Sequence, residues 1–269
     1  MLKDKVALVT GGSAGIGLAV AHRLVAGGAR VALVARTAGA LRDAVAALGG
    51  DQKAAAFPLD VKDLDALALL PARVVERFGR LDIVINNAGV NHRGPLMERT
   101  AVELAEVVHT NLTAPVALCR AAVPLLRKGG SIVNVASLAG MVPVHHQAIY
   151  SASKAGLRAF SRAVRDELLP RGITVSIVSP GPVDTGFFGD LEKVPALVFS
   201  QPMKTPDEVA RAVIECIETG REEIALPWFS GKLATLGYVS SRLLRALRPS
   251  MLRRGERNKR AYIESKGTR

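Results

Sequence analysis

This sequence predicts a doubly wound α/β fold, a parallel sheet with helices on both faces, and three observations lead there. Short apolar runs rich in β-branched residues alternate with amphipathic helical stretches along most of the chain. A glycine-rich turn, Thr10-Gly11-Gly12-Ser13-Ala14-Gly15-Ile16-Gly17, joins the first run to the first helical stretch. Of 269 residues, 49% are hydrophobic and only 4% aromatic, with 25 glycines, which fills a sizeable core and suits close helix–sheet packing. Residues 1–228 read as one Rossmann-type domain and 229–269 as a basic amphipathic extension; the sequence carries no internal repeat and no linker between two domains.

Lys5–Thr10 is the first strand, and the helix Ile16–Ala26 follows the glycines and ends at Gly27-Gly28. Strand, glycine turn and helix in that order is the setting of a dinucleotide site: glycines let the backbone approach a pyrophosphate, and the helix N-terminus offers amide donors and positive dipole. The spacing is G-x-x-x-G-x-G, unlike the commoner G-x-G-x-x-G. Arg30–Ala35 is the second strand, and Ala35-Arg36 stands where an acid would accept the ribose hydroxyls of NAD. An acid there repels a 2′-phosphate, whereas a guanidinium holds it bidentately, so Arg36 points to NADPH over NADH.

A helix over Ala38–Leu48 and a strand over Lys53–Leu59 come next. Asp60 at that strand end either meets an adenine ring or caps the helix beginning near Asp63. The helix Asp63–Phe78 contains Pro71, which is expected to kink or divide it. Leu81–Ile85 is the fourth strand and delivers Asn86-Asn87-Ala88-Gly89, tandem asparagines suited to satisfying backbone groups locally. Helices are expected at Ala101–Val108 and Leu112–Leu126, with Asn111 between them, then a strand Ser131–Ala136 ending at Ser137. A helix carries Tyr150 and runs to Leu169, and Ile173–Val178 is the sixth strand. Ser179–Thr185 breaks regular structure at Pro180-Gly181-Pro182, and the chain closes this domain with a helix, Asp207–Thr219, and a strand, Glu223–Leu226.

Within the Tyr150 helix the sequence reads Tyr150-Ser151-Ala152-Ser153-Lys154, with apolar residues continuing at Leu157, Phe160 and Val164. Positions four apart lie on one helix face, so Tyr150 and Lys154 point the same way. A free phenol has a pKa of about 10, and a neighbouring ammonium favours the phenolate and lowers that value. Such a pair can act as a general acid or base.

The net charge of +12 is concentrated in the tail: residues 229–269 hold eleven Lys/Arg and two Glu, a local balance of +9, which leaves the body near neutral. Cys119 and Cys216 fit no metal or redox spacing and read as small core residues, in keeping with a reducing cytoplasm. The apolar run Val6–Val9 is too short for a secretory core, and no stretch is long enough to span a bilayer. His145 and His146 have no metal spacing and read as polar loop or pocket residues.

Thr10–Gly17, Asn86–Gly89, Asn111, Ser137, Tyr150 with Lys154, and Pro180-Gly181 occur in the order and at about the spacing of the short-chain dehydrogenase/reductase family, which this chain resembles from about Lys3 to Leu226. The resemblance implies a Rossmann sheet of about seven strands with its site at the C-terminal strand edge. It implies that Tyr150 exchanges a proton with the substrate oxygen, that Lys154 lowers the pKa of Tyr150 and binds the nicotinamide ribose, and that Ser137 stabilises the substrate oxygen. Asn111 is implied as a proton relay through water. It places Gly11, Ser13, Gly15, Ile16, Gly17, Arg36, Asp60, Val61, Asn87, Ala88, Gly89, Pro180, Gly181, Val183 and Thr185 along the cofactor, together with Tyr150 and Lys154. One position departs: many NADP-preferring relatives carry a basic residue where this chain has Ala14, so the NADPH expectation rests on Arg36, with Ser13 assisting.

In this family the segment after the sixth strand covers the substrate; here it is about 182–203, with Phe187, Phe188, Leu191, Val194, Leu197, Val198 and Phe199. Facing Met141–Gln147, these residues either line a pocket for an apolar or bulky carbonyl compound or pack the lid onto the body. The tail repeats Leu233, Leu236, Val239, Leu243, Leu247 and Leu252 at roughly helical intervals among arginines, with Pro249 expected to break the pattern. It is expected to pack with a solvated basic face, membrane-surface contact being the alternative and nucleic acid the least favoured. The expected activity is an NADPH-dependent interconversion of a ketone and a secondary alcohol. The alternatives are a 3-oxoacyl-carrier-protein reductase-like enzyme, whose acidic partner a basic surface would attract, and a non-catalytic nucleotide-binding scaffold. The resemblance also implies a homodimer or homotetramer, and the cysteine usage points to a cytoplasmic protein, peripheral at a membrane surface if the tail makes that contact.

Overall fold

The computed structural model describes residues 2–189, 191, 194–228 and 241–267, with the backbone course alone for 241–248 and 267. Expectations that fall on Phe229–Ser240 lie outside the described residues. Seven strands form one parallel sheet: β1 Val6–Thr10, β2 Arg30–Ala35, β3 Ala54–Pro58, β4 Leu81–Asn86, β5 Leu126–Val135, β6 Thr174–Pro180 and β7 Glu223–Leu226. Their spatial order is β3-β2-β1-β4-β5-β6-β7, so the chain reverses direction across the sheet between β1 and β4. Open sheets of this kind bind ligands beyond the strand C-termini at that reversal.

Alternation along the strands feeds two apolar layers. Ala7 and Val9 of β1 join Val20 and Leu24 of helix α1 (Gly15–Ala26), Leu41 of α2 (Ala38–Ala47) and Val209 and Val213 of the helix Pro206–Thr219. Val6 and Leu8 face the other way, toward Leu67, Leu70 and Val74 of α3 (Leu64–Phe78), Leu118 of α5 (Ala114–Ala122) and Leu168 of α6 (Ala148–Leu168). The remaining α-helices among the described residues are α4 (Ala101–Val108), α7 (Pro206–Thr219) and α8 (Ser241–Gly267). Both cysteines are buried and free, as core residues.

Three local expectations are corrected. Pro71 does not divide α3, one of the two outcomes expected of it: the helix runs unbroken from its Asp63 N-cap to the left-handed Gly79. Burial of Leu67, Leu70, Val74 and Phe78 on one face offsets the missing hydrogen bond at the proline. The helix expected to reach Leu126 stops at Ala122: Val123 is still helical, but Pro124 has no amide hydrogen to extend the ladder, and β5 starts at Leu126. The third concerns Pro249, which lies inside α8. Beyond that proline α8 is held by the 182–203 segment: Asn258 Nδ2 donates to the Phe199 carbonyl at 2.9 Å and Lys259 Nζ to that of Val194 at 2.9 Å. Gly255 is packed so closely on the Ala196 carbonyl that a Cβ would collide with it. Tyr262 donates to Asp184 at 2.6 Å, and Arg253, Arg254, Arg257 and Arg260 face outward. The described part of the tail is therefore packed on the lid with an exposed basic face.

Candidate active site

The loop between β1 and α1 is shaped by contacts that exclude side chains. Gly11 and Gly15 have φ of 64° and 54°, in the left-handed region, and a Cβ on Gly17 would collide with the Gly11 carbonyl. Asn87, delivered by β4, holds this loop from beneath: its Nδ2 donates to the carbonyls of Thr10 at 3.0 Å and Gly11 at 3.2 Å. Thr10 Oγ1 in turn accepts from the amides of Asn87 and Ala88 at 3.0 and 3.1 Å. The α1 N-terminus has Ala14 at its cap with no side-chain hydrogen bond, and no acid in the first turn. Its amides are left for an external anion, and the cradle has no Cβ in the way, so these residues fit a dinucleotide pyrophosphate.

Beyond this cradle lies a cleft of about 420 Å³. It gathers most of the expected residues: Gly11, Gly15, Ile16, Asn87, Ala88, Gly89, Ser137, Tyr150, Lys154, Pro180, Gly181, Val183 and Thr185. Gly17 sits under the loop. Ser13, Arg36, Asp60 and Val61 do not line the cleft. Arg36 is exposed just past β2, without an ion-pair partner among the described residues, and close enough for its charge to bear on Lys62. Asp60 does not cap α3, a position Asp63 holds; its Oδ1 accepts from the Lys62 amide at 3.0 Å. The Lys62 side chain, which the sequence reading passed over, pairs with Glu106 at 2.7 Å.

Tyr150 and Lys154 sit on α6 with the ammonium 5.9 Å from the ring centroid. Lys154 is buried and donates from Nζ to the Val135 carbonyl at 2.8 Å; burial brings its pKa down to about 8. The Tyr150 phenol stands above its ordinary value because it is buried, opposed by a hydrogen bond with Ser137 and by the charge of Arg93. The lowering expected from Lys154 is not among these influences: desolvation of the phenol leads, and the opposing effects come from Ser137 and Arg93. Ser137 is placed by the short turn Leu138–Gly140, whose Ala139 amide donates to Ser137 Oγ at 3.1 Å. Gly140 lies against the α6 backbone, where a Cβ would come 2.7 Å from the Lys154 carbonyl carbon. Arg158 secures this contact, donating to the Gly140 carbonyl at 3.0 Å and pairing with Glu223 of β7 at 2.8 Å.

Asn111 lies in a π-helical turn, His109–Thr113, that interrupts α4 and α5. Such turns recur at functional sites. It is fully buried, and its amide exchanges hydrogen bonds with the Val90 backbone, both at 2.9 Å. Gly89 lies in front of it: a Cβ there would stand 3.2 Å from Asn111 Oδ1 and 3.7 Å from Lys154 Nζ.

The lid divides its apolar residues between the two expected uses. Phe187 faces the cleft with its ring 6.2 Å from that of Tyr150, and Leu197 and Val198 line it too. Phe188 does both, lining the cleft and packing against Phe199, while Phe199 packs on Tyr262 and Val194 is buried with them. Val142 and Val144 supply the facing wall. His145 and His146 are exposed and outside the cleft, and no group of metal-ligating side chains occurs among the described residues. Asn91, Arg93 and Met251 also line the cleft, and none was singled out from the sequence. Arg93, four residues past Gly89, had one available signal, its place just beyond a strand C-terminus.

A model of the short chain dehydrogenase family matches residues 5–195. A ketoacyl reductase of Nostoc sp., HetN, is 37% identical over 83% of this chain and 78% of its own. The human 3-oxoacyl-[acyl-carrier-protein] reductase is 36% identical, over 80% of this chain and 92% of that protein. Among solved structures, a short chain dehydrogenase from Burkholderia cenocepacia in complex with NADP is 35% identical with a TM-score of 0.77, covering 83% of this chain and 96% of the other.

An Asn87→Ala variant leaves the Thr10 and Gly11 carbonyls without their side-chain donor. Its dissociation constant for a nicotinamide dinucleotide, titrated by fluorescence, is expected to rise about tenfold or more.

Proposed function

The chain belongs to the short-chain dehydrogenase family, and on that footing we propose that it is an NADPH-dependent oxidoreductase interconverting a ketone and a secondary alcohol on an apolar or bulky substrate. The observation that carries this reading is the convergence of Ser137, Tyr150 and Lys154 in one cleft that opens on the glycine cradle and whose wall includes Val142, Val144, Phe187, Leu197 and Val198. The bound dinucleotide supplies or accepts the hydride.

In reduction, Tyr150 gives its phenolic proton to the substrate oxygen as negative charge develops there. Burial keeps the phenol protonated at neutral pH, which suits an acid. Ser137, hydrogen-bonded to that phenol, shares the oxygen and stabilises its charge. Lys154, anchored on Val135, has further protons to direct at the nicotinamide ribose and the phenol. Asn111 relays protons through a water toward Lys154, across the space that Gly89 leaves open. Thr185, against which Gly15 lies, and Pro180, Gly181 and Val183 hold the nicotinamide end. Arg36 with Ser13 takes the 2′-phosphate, Asp60 and Val61 lie by the adenine, and the NADP in the Burkholderia relative supports that cofactor. A non-catalytic scaffold has no use for all three converging groups.

A second reading, reduction of a 3-oxoacyl group on a carrier protein, is favoured by the activities named for the human and Nostoc relatives.

The test is nicotinamide absorbance with plain, aromatic, steroid-like and acyl-thioester ketones. Turnover of bulky apolar ketones with NADPH supports the first reading; turnover confined to acyl thioesters selects the second; none in either direction overturns both. Arg36→Asp is expected to weaken NADPH about tenfold to a hundredfold and to favour NADH. Because Lys154 is charged below about pH 8 and neutral above it, ketone reduction is expected to fall as pH rises through that value.

A further inference from the structure

We propose that Arg93 anchors a second oxygen acceptor on the substrate, a carboxylate or an ester or thioester carbonyl, carried by an otherwise apolar keto compound. The proposal rests on the ketoreductase reading and narrows its substrate class.

A guanidinium withdrawn from water is costly unless something pairs with it. Arg93 is half-buried in the cleft wall, yet no carboxylate pairs with it among the described residues. The protein satisfies only part of it: Nη1 donates to the Phe188 carbonyl at 3.0 Å, and Nε is sealed from solvent without a partner. Nη2 has no protein acceptor among the described residues and is not sealed off. The plane of the group is held by two aromatic rings, with Cζ 5.4 Å from the Phe187 centroid and 5.5 Å from that of Phe188. A charged fork is thus fixed in place with a donor unspent, which lowers the entropy cost of engaging a ligand.

Its position identifies that ligand as substrate. Phe187 lies against both Arg93 and Tyr150, so the guanidinium flanks the space next to the phenol. Arg93 also bonds the lid at the Phe188 carbonyl, while the phosphate cradle has amide donors of its own. In the same cleft, Asn91 Oδ1 is likewise sealed and unpartnered, and Asn91 Nδ2 donates to Gln147 at 2.8 Å. These polar side chains share the cleft wall with Val142, Leu197 and Met251. A purely apolar ketone would leave Arg93 without a partner once the lid excludes water. A keto compound with a second acceptor pairs it.

The experiment compares full-length wild type, Arg93→Met and Arg93→Lys on an alkyl methyl ketone, a β-keto ester and a β-keto acid of matched length. In Arg93→Met, kcat/KM for the ester or the acid is expected to fall about tenfold to a hundredfold further than that for the plain ketone, which reports the loss of the Arg93 charge beside Tyr150 alone. Whichever of the two falls further identifies the acceptor. Arg93→Lys, which keeps the charge and loses the fork, is expected to fall between the two. An equal fall for all three substrates, or a loss of NADP⁺ affinity, overturns the proposal. Should wild type reduce none of them, the ketoreductase reading fails, and calorimetric binding of decanoate and ethyl decanoate to the NADP⁺-loaded protein decides the anchor. Binding lost in Arg93→Met sustains it; binding unchanged, or absent from wild type, overturns it.

Discussion

One buried hydrogen bond ties the site together. Lys154 reaches from α6 to the Val135 carbonyl at the end of β5, so the helix that carries Tyr150 is fastened to the strand that delivers Ser137. The bond is demanding: an ammonium is held out of water against a single described acceptor, and its pKa falls accordingly. Its surroundings make it tenable. Gly140 lets the Ser137 turn lie directly on the α6 backbone, Arg158 and Glu223 brace that contact from β7, and Gly89 leaves room beside the ammonium. The same geometry that strains the ion places three polar groups around a common point.

From that point the cleft runs in two chemically different directions. Toward β1 it meets backbone amides and glycines, a surface suited to phosphate. Toward the lid it meets aliphatic and aromatic side chains interrupted by Asn91, Arg93 and Gln147. The lid is not free-standing. Phe188 and Phe199 are committed to packing against each other, and Phe199 meets Tyr262 of α8, which also bonds Asp184, one residue before Thr185. Met251 of the same helix lines the cleft, so the basic tail takes part in shaping the substrate end.

Most of the sheet was legible in the sequence because β-branched runs and glycine turns are local signals: β2 and β7 have the bounds read from sequence, and the cradle lies where its glycines stand. Two of the three misreadings were those where tertiary packing overrides a local rule, and the third, the end of α5, was a local proline effect passed over. Pro71 is tolerated because α3 buries a full apolar face, and α8 continues past Pro249 against the lid. Tyr150 and Lys154 were found through helical spacing, yet the direction of the Tyr150 shift was not, since burial of the phenol depends on chain segments far apart in sequence. Arg93, Asn91 and Met251 were missed for a related reason. They lie in a loop and in the tail helix, far from the motifs in sequence, and only the folded chain brings them to one cleft.

The account stands or falls on Tyr150 as the proton donor, and the most direct measurement is single-turnover reduction of a bulky ketone by the NADPH-loaded Tyr150→Phe protein. Removing one oxygen leaves the ring, its packing and Lys154 in place. The account predicts a loss of about a hundredfold to ten-thousandfold in the reduction rate with cofactor affinity unchanged. A rate close to wild type would mean that another group delivers the proton, and would contradict the central claim.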